Sequence, residues 1–250
     1  MPADTLEQRA RRALDAVRDP ELDEPITDLG FVRSVEAGPG HRITVHLRLP
    51  TSFCSPNFAY LMASDAKDAL AALPDAGAVT VVLDDHHDSA LINRGLAADA
   101  GYRGTFGAEA DKDLEELRLT FRRKAHTAAM ERALTALLLR DPALTEEGLA
   151  DVVLGDLPDT SATRALLRRR EALGLGTAPA DAALVDDDGR PCPRDEIPLR
   201  LRFARSVRRS IDGNAHFCRG LLRTRYPDAA PDQSPRTEDT TLVPHGKEPQ

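Results

Sequence analysis

An α+β fold class follows from three features of this 250-residue chain. One segment alternates strictly between apolar and polar residues, apolar stripes of helical period flank it, and helical periods alone dominate beyond residue 88. The expected architecture is a small α-β-β-α-β sandwich over residues 1–87, a mainly helical region over 88–226, and a disordered tail over 227–250. Hydrophobic residues make up 41% and charged residues 30%, which places the body of the chain among globular proteins. Aromatics supply only 4%, so Leu, Val, Ile and Ala must build most of the core.

Thr5 with Gln8 fits a capping box, and Leu6, Ala10, Leu14 and Val17 carry a helical stripe expected to end at Asp19-Pro20. Phe31 to Val35 reads as a strand, and Gly38-Pro39-Gly40 breaks the chain. Ile43, Val45, Leu47 and Leu49 then alternate with Arg42, Thr44, His46 and Arg48, the pattern of a strand with one buried face, paired to the first as a hairpin. After the loop Thr51-Ser52-Phe53-Cys54, Ser55-Pro56 opens a helix with stripe residues Phe58, Leu61, Met62, Ala66, Ala69 and Leu73. That helix is the expected right-handed crossover to a parallel strand at Ala78 to Leu83.

Further on, helices are expected from Leu114 to Asp141-Pro142, from Thr145 to Val153, from Thr160 to Leu173, and from about Asp195 to Tyr226 with a break near Gly213. Residues from Pro227 are rich in Pro, Asp, Thr and Gln and poor in apolar side chains, which underlies the expected disorder. The net charge is −8, with the acidic excess concentrated in the first 90 residues, where a phosphate-tracking surface is therefore not expected. No apolar run is long enough to cross a bilayer, no basic-then-apolar leader opens the chain, and three scattered cysteines do not make a disulfide framework. These features together predict a cytoplasmic protein.

Cys54 is the residue with the most chemistry in its position. It sits between a strand and a proline-initiated helix, where unpaired amides and the helix dipole favour an anionic sulfur, the form that ligates iron or zinc. The competing reading is a small buried apolar residue. Asp84-Asp85-His86-His87-Asp88 offers imidazoles and carboxylates, but adjacent histidines on extended chain point opposite ways, and a solvated acidic loop is the favoured reading.

Three segments in order, Asp19-Pro20-Glu21-Leu22, Ile26-Thr27-Asp28-Leu29-Gly30-Phe31-Val32 and Leu49-Pro50-Thr51-Ser52-Phe53-Cys54-Ser55-Pro56, resemble the successive motifs of the SufT/PaaD-like metal–sulfur cluster assembly family. The likeness covers about residues 8–85. It implies a non-enzymatic accessory factor in iron–sulfur cluster assembly or metalloenzyme maturation, with a transient iron–sulfur cluster or iron as cargo. It also implies cluster assembly proteins and a client metalloprotein, for instance an oxygenase, as partners. By the same likeness Cys54 matches the family cysteine, the expected metal ligand, and Asp28 the acidic residue of the Asp-Leu-Gly motif. Asp28 either bonds to the Cys54 loop and touches the cargo or caps the turn ahead of Gly30. The chain departs from the family in its Phe53-Cys54-Ser55-Pro56 core and in the acidic, histidine-bearing segment after the last strand.

One cysteine cannot hold a cluster alone, so a homodimer, a partner or a small thiol must add ligands. Cys192 and the His216/Cys218 pair lie in the helical region; the pair could join a site, but the favoured reading packs Cys218 in a helix and leaves Cys192 in a loop. Two alternatives carry their own signals. Residues 145–173 could form a helix-turn-helix with Ser161, Thr163, Arg164 and Arg168 facing a groove, against which the overall acidity weighs. A cysteine-dependent enzyme would need His46 as base, with no third residue evident to orient it.

Overall fold

The computed structural model describes residues 4–107 and 114–229, so the expected tail from residue 230 onward lies outside the described residues. These fall into two compact units, one of residues 4–107, 114–121 and 211–229, the other of residues 122–210. The reading from sequence instead divides the chain after residues 87 and 226.

In the first unit, α1 (Leu6–Leu14) opens on Thr5, whose hydroxyl accepts from the Gln8 amide at 3.2 Å while the Gln8 side chain accepts from Thr5 N at 2.9 Å. The helix stops at Leu14, earlier than the apolar stripe predicts. Tertiary bonds claim the next residues: Thr27 Oγ1 donates to Asp15 Oδ1 at 2.6 Å, and Ile26 N donates to Val17 O at 2.9 Å. Strands β1 (Val32–Gly38) and β2 (Arg42–Leu47) pair antiparallel, with an irregularity between Val32 and Ser34. α2 (Pro56–Ala71) then crosses to β3 (Val79–Leu83), which runs parallel to β2, giving the sheet order β1-β2-β3. Ile43, Val45 and Leu47 are buried on one face and pack with Ala10 and Leu14 of α1 and Ala63, Ala66 and Leu70 of α2. α3 (Ser89–Ala97) belongs to the same core through Ile92 and Leu96, and is stitched to β3 by the Asn93 amide, which bonds Leu83 N at 2.8 Å and Leu83 O at 3.1 Å. α4 (Gly101–Phe106) follows, its Tyr102 and Phe106 rings set against Tyr60 of α2.

Gly77 makes the turn into β3 possible. A Cβ there would strike the carbonyl oxygen of Gly40 and stand 3.1 Å from His41 C and O, backbone atoms that cannot swing aside. The G77A protein is therefore expected to lose about 1–3 kcal/mol of stability in the first unit. Urea unfolding followed by tyrosine fluorescence checks this; an unchanged midpoint would show that the turn yields freely.

α5 (Leu114–Arg140) and α7 (Ile197–Arg225) each run across a division between the two units, and α6 (Ser161–Ala172) lies wholly in the second. The second unit's core gathers Met130, Ala133 and Leu134 of α5, Leu166 of α6, Ile197 and Leu201 of α7, and the intervening Leu149, Leu154 and Leu184. Two expectations are corrected here. The helix expected over 145–153 is a short 3-10 turn, Glu147–Asp151, which ends where the backbone becomes extended at Val152 and Ala183 N donates to Val152 O at 2.9 Å. Thr163, expected on a groove-reading face, is buried and donates to Pro158 O at 2.7 Å, so the helix-turn-helix reading loses both its first helix and a contact residue. The second correction concerns α7, which passes Gly213 unbroken. That glycine is exposed, where its helical penalty is only about 1 kcal/mol.

Candidate functional site

The loop carrying Cys54 is built by its own residues and by three neighbours. Thr51 Oγ1 accepts from Phe53 N at 3.1 Å, closing the turn, and lies 3.5 Å from Cys54 Sγ. The thiol is half-buried at the edge of the core, one residue before Ser55, the N-cap of α2. Phe53 beside it is 82% exposed, with its ring 5.9 Å from that of His87.

The segment after β3 braces this loop. His86 is buried, and its Nε2 lies 2.8 Å from Cys54 O while its Nδ1 lies 3.0 Å from Asp88 N. A carbonyl only accepts and an amide N–H only donates, so the imidazole carries its proton on Nε2, and both ring nitrogens are engaged. His87 N donates to Ser52 O at 2.9 Å. The favoured reading of this segment as a solvated loop is thereby corrected for His86, which is a buried support for the cysteine loop. On β2, His46 Nδ1 lies 3.0 Å from Asp84 Oδ1, and Arg33 donates to Asp84 Oδ2 at 3.0 Å. Asp84 is thus the orienting partner of His46 that the sequence did not reveal.

The third neighbour comes from the far end of the chain. Arg225, the last residue of α7, donates to Leu49 O at 3.1 Å, to Ser52 Oγ at 2.7 Å and to Asp85 O, joining both flanking segments. Tyr226 OH donates to Asp85 Oδ2 at 3.2 Å, and its ring lies 5.0 Å from the guanidinium carbon of buried Arg48. About two turns before Arg225, on the same helix face, sits Cys218. It packs on the same core as Cys54 and is half-buried. Burial pushes the Cys218 thiol up to about 11, and the negative charges of Asp19, Cys54 and Glu21 add to the rise. Cys218 and Cys54 thus pack against one core, although sequence reading had set Cys218 in the separate helical region. Neighbouring His216 is exposed, and Cys192 lies in the second unit with its thiol raised by burial.

The same helix covers the Asp19–Glu24 turn. Asn214 Nδ2 donates to Glu21 Oε1 at 3.1 Å, and Arg219 pairs with both carboxylate oxygens of Glu24. Asp19 is buried, its Oδ1 accepting from Glu21 N at 2.9 Å and Leu22 N at 2.8 Å. Burial raises its pKa to about 6; those two amides oppose the rise, and the charges of Glu21 and Glu24 assist it. Asp28 stands half-buried in the turn between buried Ile26 and Leu29, ahead of Gly30 at φ 78°. Among the described residues, no group of three or more His, Cys, Asp or Glu side chains converges to hold a metal ion.

Residues 7–83 match the family model described as iron-sulfur cluster assembly protein. Over 74 residues the chain is 38% identical to the iron-sulfur cluster carrier proteins of Mycobacterium tuberculosis (strain ATCC 25618 / H37Rv) and Mycobacterium bovis, a stretch that is 30% of this chain and 19% of each relative. The chain thus spans about a fifth of the length of those carrier proteins. The assembly-family match runs from α1 to the end of β3 and contains Asp19, Asp28 and Cys54. The braces His86 and Arg225 and the second thiol, Cys218, all lie beyond it. No helix among the described residues is long and apolar enough to cross a membrane.

Proposed function

We propose that the first unit receives iron or an iron–sulfur cluster on Cys54 and passes it to a client metalloprotein, acting as a non-enzymatic accessory factor. What carries this reading is the coincidence of the family match with a thiol at the edge of the core, held ahead of a helix N-terminus beside an exposed phenyl ring. The loop geometry suits a carrier. Thr51 Oγ1 can donate to a thiolate, which tempers its binding strength, and His86 and Arg225 fix the backbone so that the sulfur changes partners without the loop unfolding.

Clusters are ordinarily held by four thiolates. One chain brings Cys54 and, against the same core, Cys218, so two copies of the chain, or one copy with a client's cysteines, complete the set. Asp19 and Glu21 make the neighbourhood of Cys218 negative, which favours the cation over empty thiols.

Anaerobic reconstitution with ferrous iron and sulfide tests the proposal on the full chain. The wild type is expected to bind iron and sulfide, Cys54→Ala to lose at least nine-tenths of both, and Cys218→Ala to retain an unstable fraction. Far-UV circular dichroism confirms that each variant is folded. Equal uptake by the Cys54→Ala protein would remove the thiol from the mechanism and with it this function.

A further inference from the structure

Among its described residues the second unit contains a buried charge that no carboxylate pairs with. Arg170 of α6 is 2% exposed and heads the fully buried side chains by volume, yet only its Nη2 has a partner, Ala182 O at 2.9 Å. Among the described residues its Nε and Nη1 have none. His126 of α5 is 1% exposed, and its Nε2 also lacks a partner. Arg200 of α7, at the half-exposed edge of this group, leaves its Nε unpaired while its Nη2 reaches Asp187 Oδ1 at 3.3 Å. Buried donors in native proteins are almost always bonded, and a buried guanidinium left without an anion costs several kcal/mol.

The unit matches its other buried charge. Glu131, 2% exposed, receives Arg208 Nε at 2.5 Å and the Thr135 hydroxyl at 3.1 Å, with Arg205 Nε at 3.6 Å. Nothing comparable serves Arg170. The carboxylate of Asp181, the acid that acts on Arg170, is already bonded to Ala178 N at 2.8 Å. Asp187 and Asp188 go outward to Arg200 and to Arg123, which sits one turn before His126 on α5.

We infer that Arg170, His126 and Arg200 form a binding site for a single oxyanion, a phosphate- or carboxylate-type group, inside the second unit. The groups come from three different helices, so an anion placed among them also ties those helices together. Arg170 supplies the charge, with Nε–H and Nη1–H as donors. His126 adds Nε2–H in its neutral form, which burial and then the charges of Arg170, Arg200 and Arg169 maintain by pushing its pKa down to about 4. Arg200 and Arg123 give the approach, their side chains being 24% and 40% exposed. The acidic turn pairs with both arginines, Asp187 with Arg200 and Asp188 with Arg123. This site is independent of Cys54 and of the function proposed for it.

The test uses the full chain at pH 7 with ionic strength held constant by chloride, titrated separately with inorganic phosphate and with acetate. Thermal unfolding of the wild type is expected to rise saturably with one of the two, which identifies the anion class. Arg170→Met, which keeps the length and removes the charge, is expected to weaken that response at least tenfold, whereas Arg164→Gln, at an exposed position on the same helix, leaves it intact. A second readout needs no variant: the Nε2 resonance of His126 in ¹⁵N-labelled wild type is expected to shift with the same saturation. An unmoved His126 resonance, or no saturable response to either anion, would mean that water alone satisfies Arg170 and would overturn the site. An equal response in a folded Arg170→Met protein would do so as well.

Discussion

Asp19→Asn is expected to stabilise the first unit by about 3 kcal/mol at pH 7.5 and to leave its stability unchanged at pH 3.5. The carboxyl ionises near 3.8 in the unfolded chain and near 6 in the folded one, because the folded chain buries it. Between those values the folded state holds the proton that the unfolded state has released, so stability falls as pH rises from about 4 through about 6 and is constant beyond. Asn carries no such burden. It also preserves what Asp19 does for the backbone, since its amide oxygen accepts from Glu21 N and Leu22 N just as Oδ1 does. The measurement is selective. All three tyrosines, Tyr60, Tyr102 and Tyr226, lie in the first unit and the chain has no tryptophan, so tyrosine fluorescence during urea unfolding reports that unit alone. A destabilising acid beside a thiol is what a site kept for chemistry carries at the expense of stability. The same variant is accordingly expected to lower the pKa of Cys218 and to reduce iron retention in the reconstitution experiment. Identical unfolding midpoints at pH 7.5 would contradict the ionised, buried state assigned to Asp19.

The α-β-β-α-β order of the first unit was legible because each of its elements advertises itself locally. Alternation from Arg42 to Leu49 marks the face of Ile43, Val45 and Leu47 as the buried one, although Arg48 on the other face is buried against Tyr226, and Ser55-Pro56 is a strong helix opening. The elements that were misread are those decided by distant contacts. α1 ends early because Asp15 and Val17 bond to Thr27 and Ile26, which no window of helical spacing contains. The candidate site divides in the same way. Cys54 stands out from its position between strand and helix, but the residues that hold its loop, His86 and Arg225, are separated from it by 32 residues and by most of the chain respectively. Nothing in the composition of α7 distinguishes Arg225 from the many other arginines on that helix, and Cys218 reads there as an ordinary packing residue. Only the fold shows that the helix brings a second sulfur and a clamp to the loop. Arg170 was invisible for a related reason. An arginine in an Arg-rich amphipathic run reads as solvated, and the partner that the fold brings to it, Ala182 O, lies in irregular chain beyond the end of α6.

Acidification is expected to weaken the second unit in one defined window. His126 takes up a proton near pH 6.5 in the unfolded chain but only near pH 4 in the folded one, first because it is buried and then because Arg170, Arg200 and Arg169 repel the added charge. The folded-state pKa is the lower of the two, so the stabilisation present at pH 7 is lost as pH falls from 6.5 to 4, and no more is lost to this group below that. The change amounts to about 3 kcal/mol. Asp186, whose pKa is lowered by amide bonds from Arg190 and Asp188, acts only below the ordinary carboxylate range and leaves the window to His126. Hydrogen exchange of α5 and α6 amides between pH 7 and 4, corrected for the intrinsic pH dependence of exchange, reads this loss in the second unit. His126→Leu, which fills the same space and does not titrate, is expected to show no slope. Arg170→Met is expected to show a shallower one, because removing the largest of the three repelling charges lets His126 titrate closer to its ordinary value. A slope that survives in the His126→Leu protein would place the acid sensitivity elsewhere. A slope lost in His126→Leu but undiminished in Arg170→Met would take the charge of Arg170 out of the account, leaving burial with Arg200 and Arg169 as the causes.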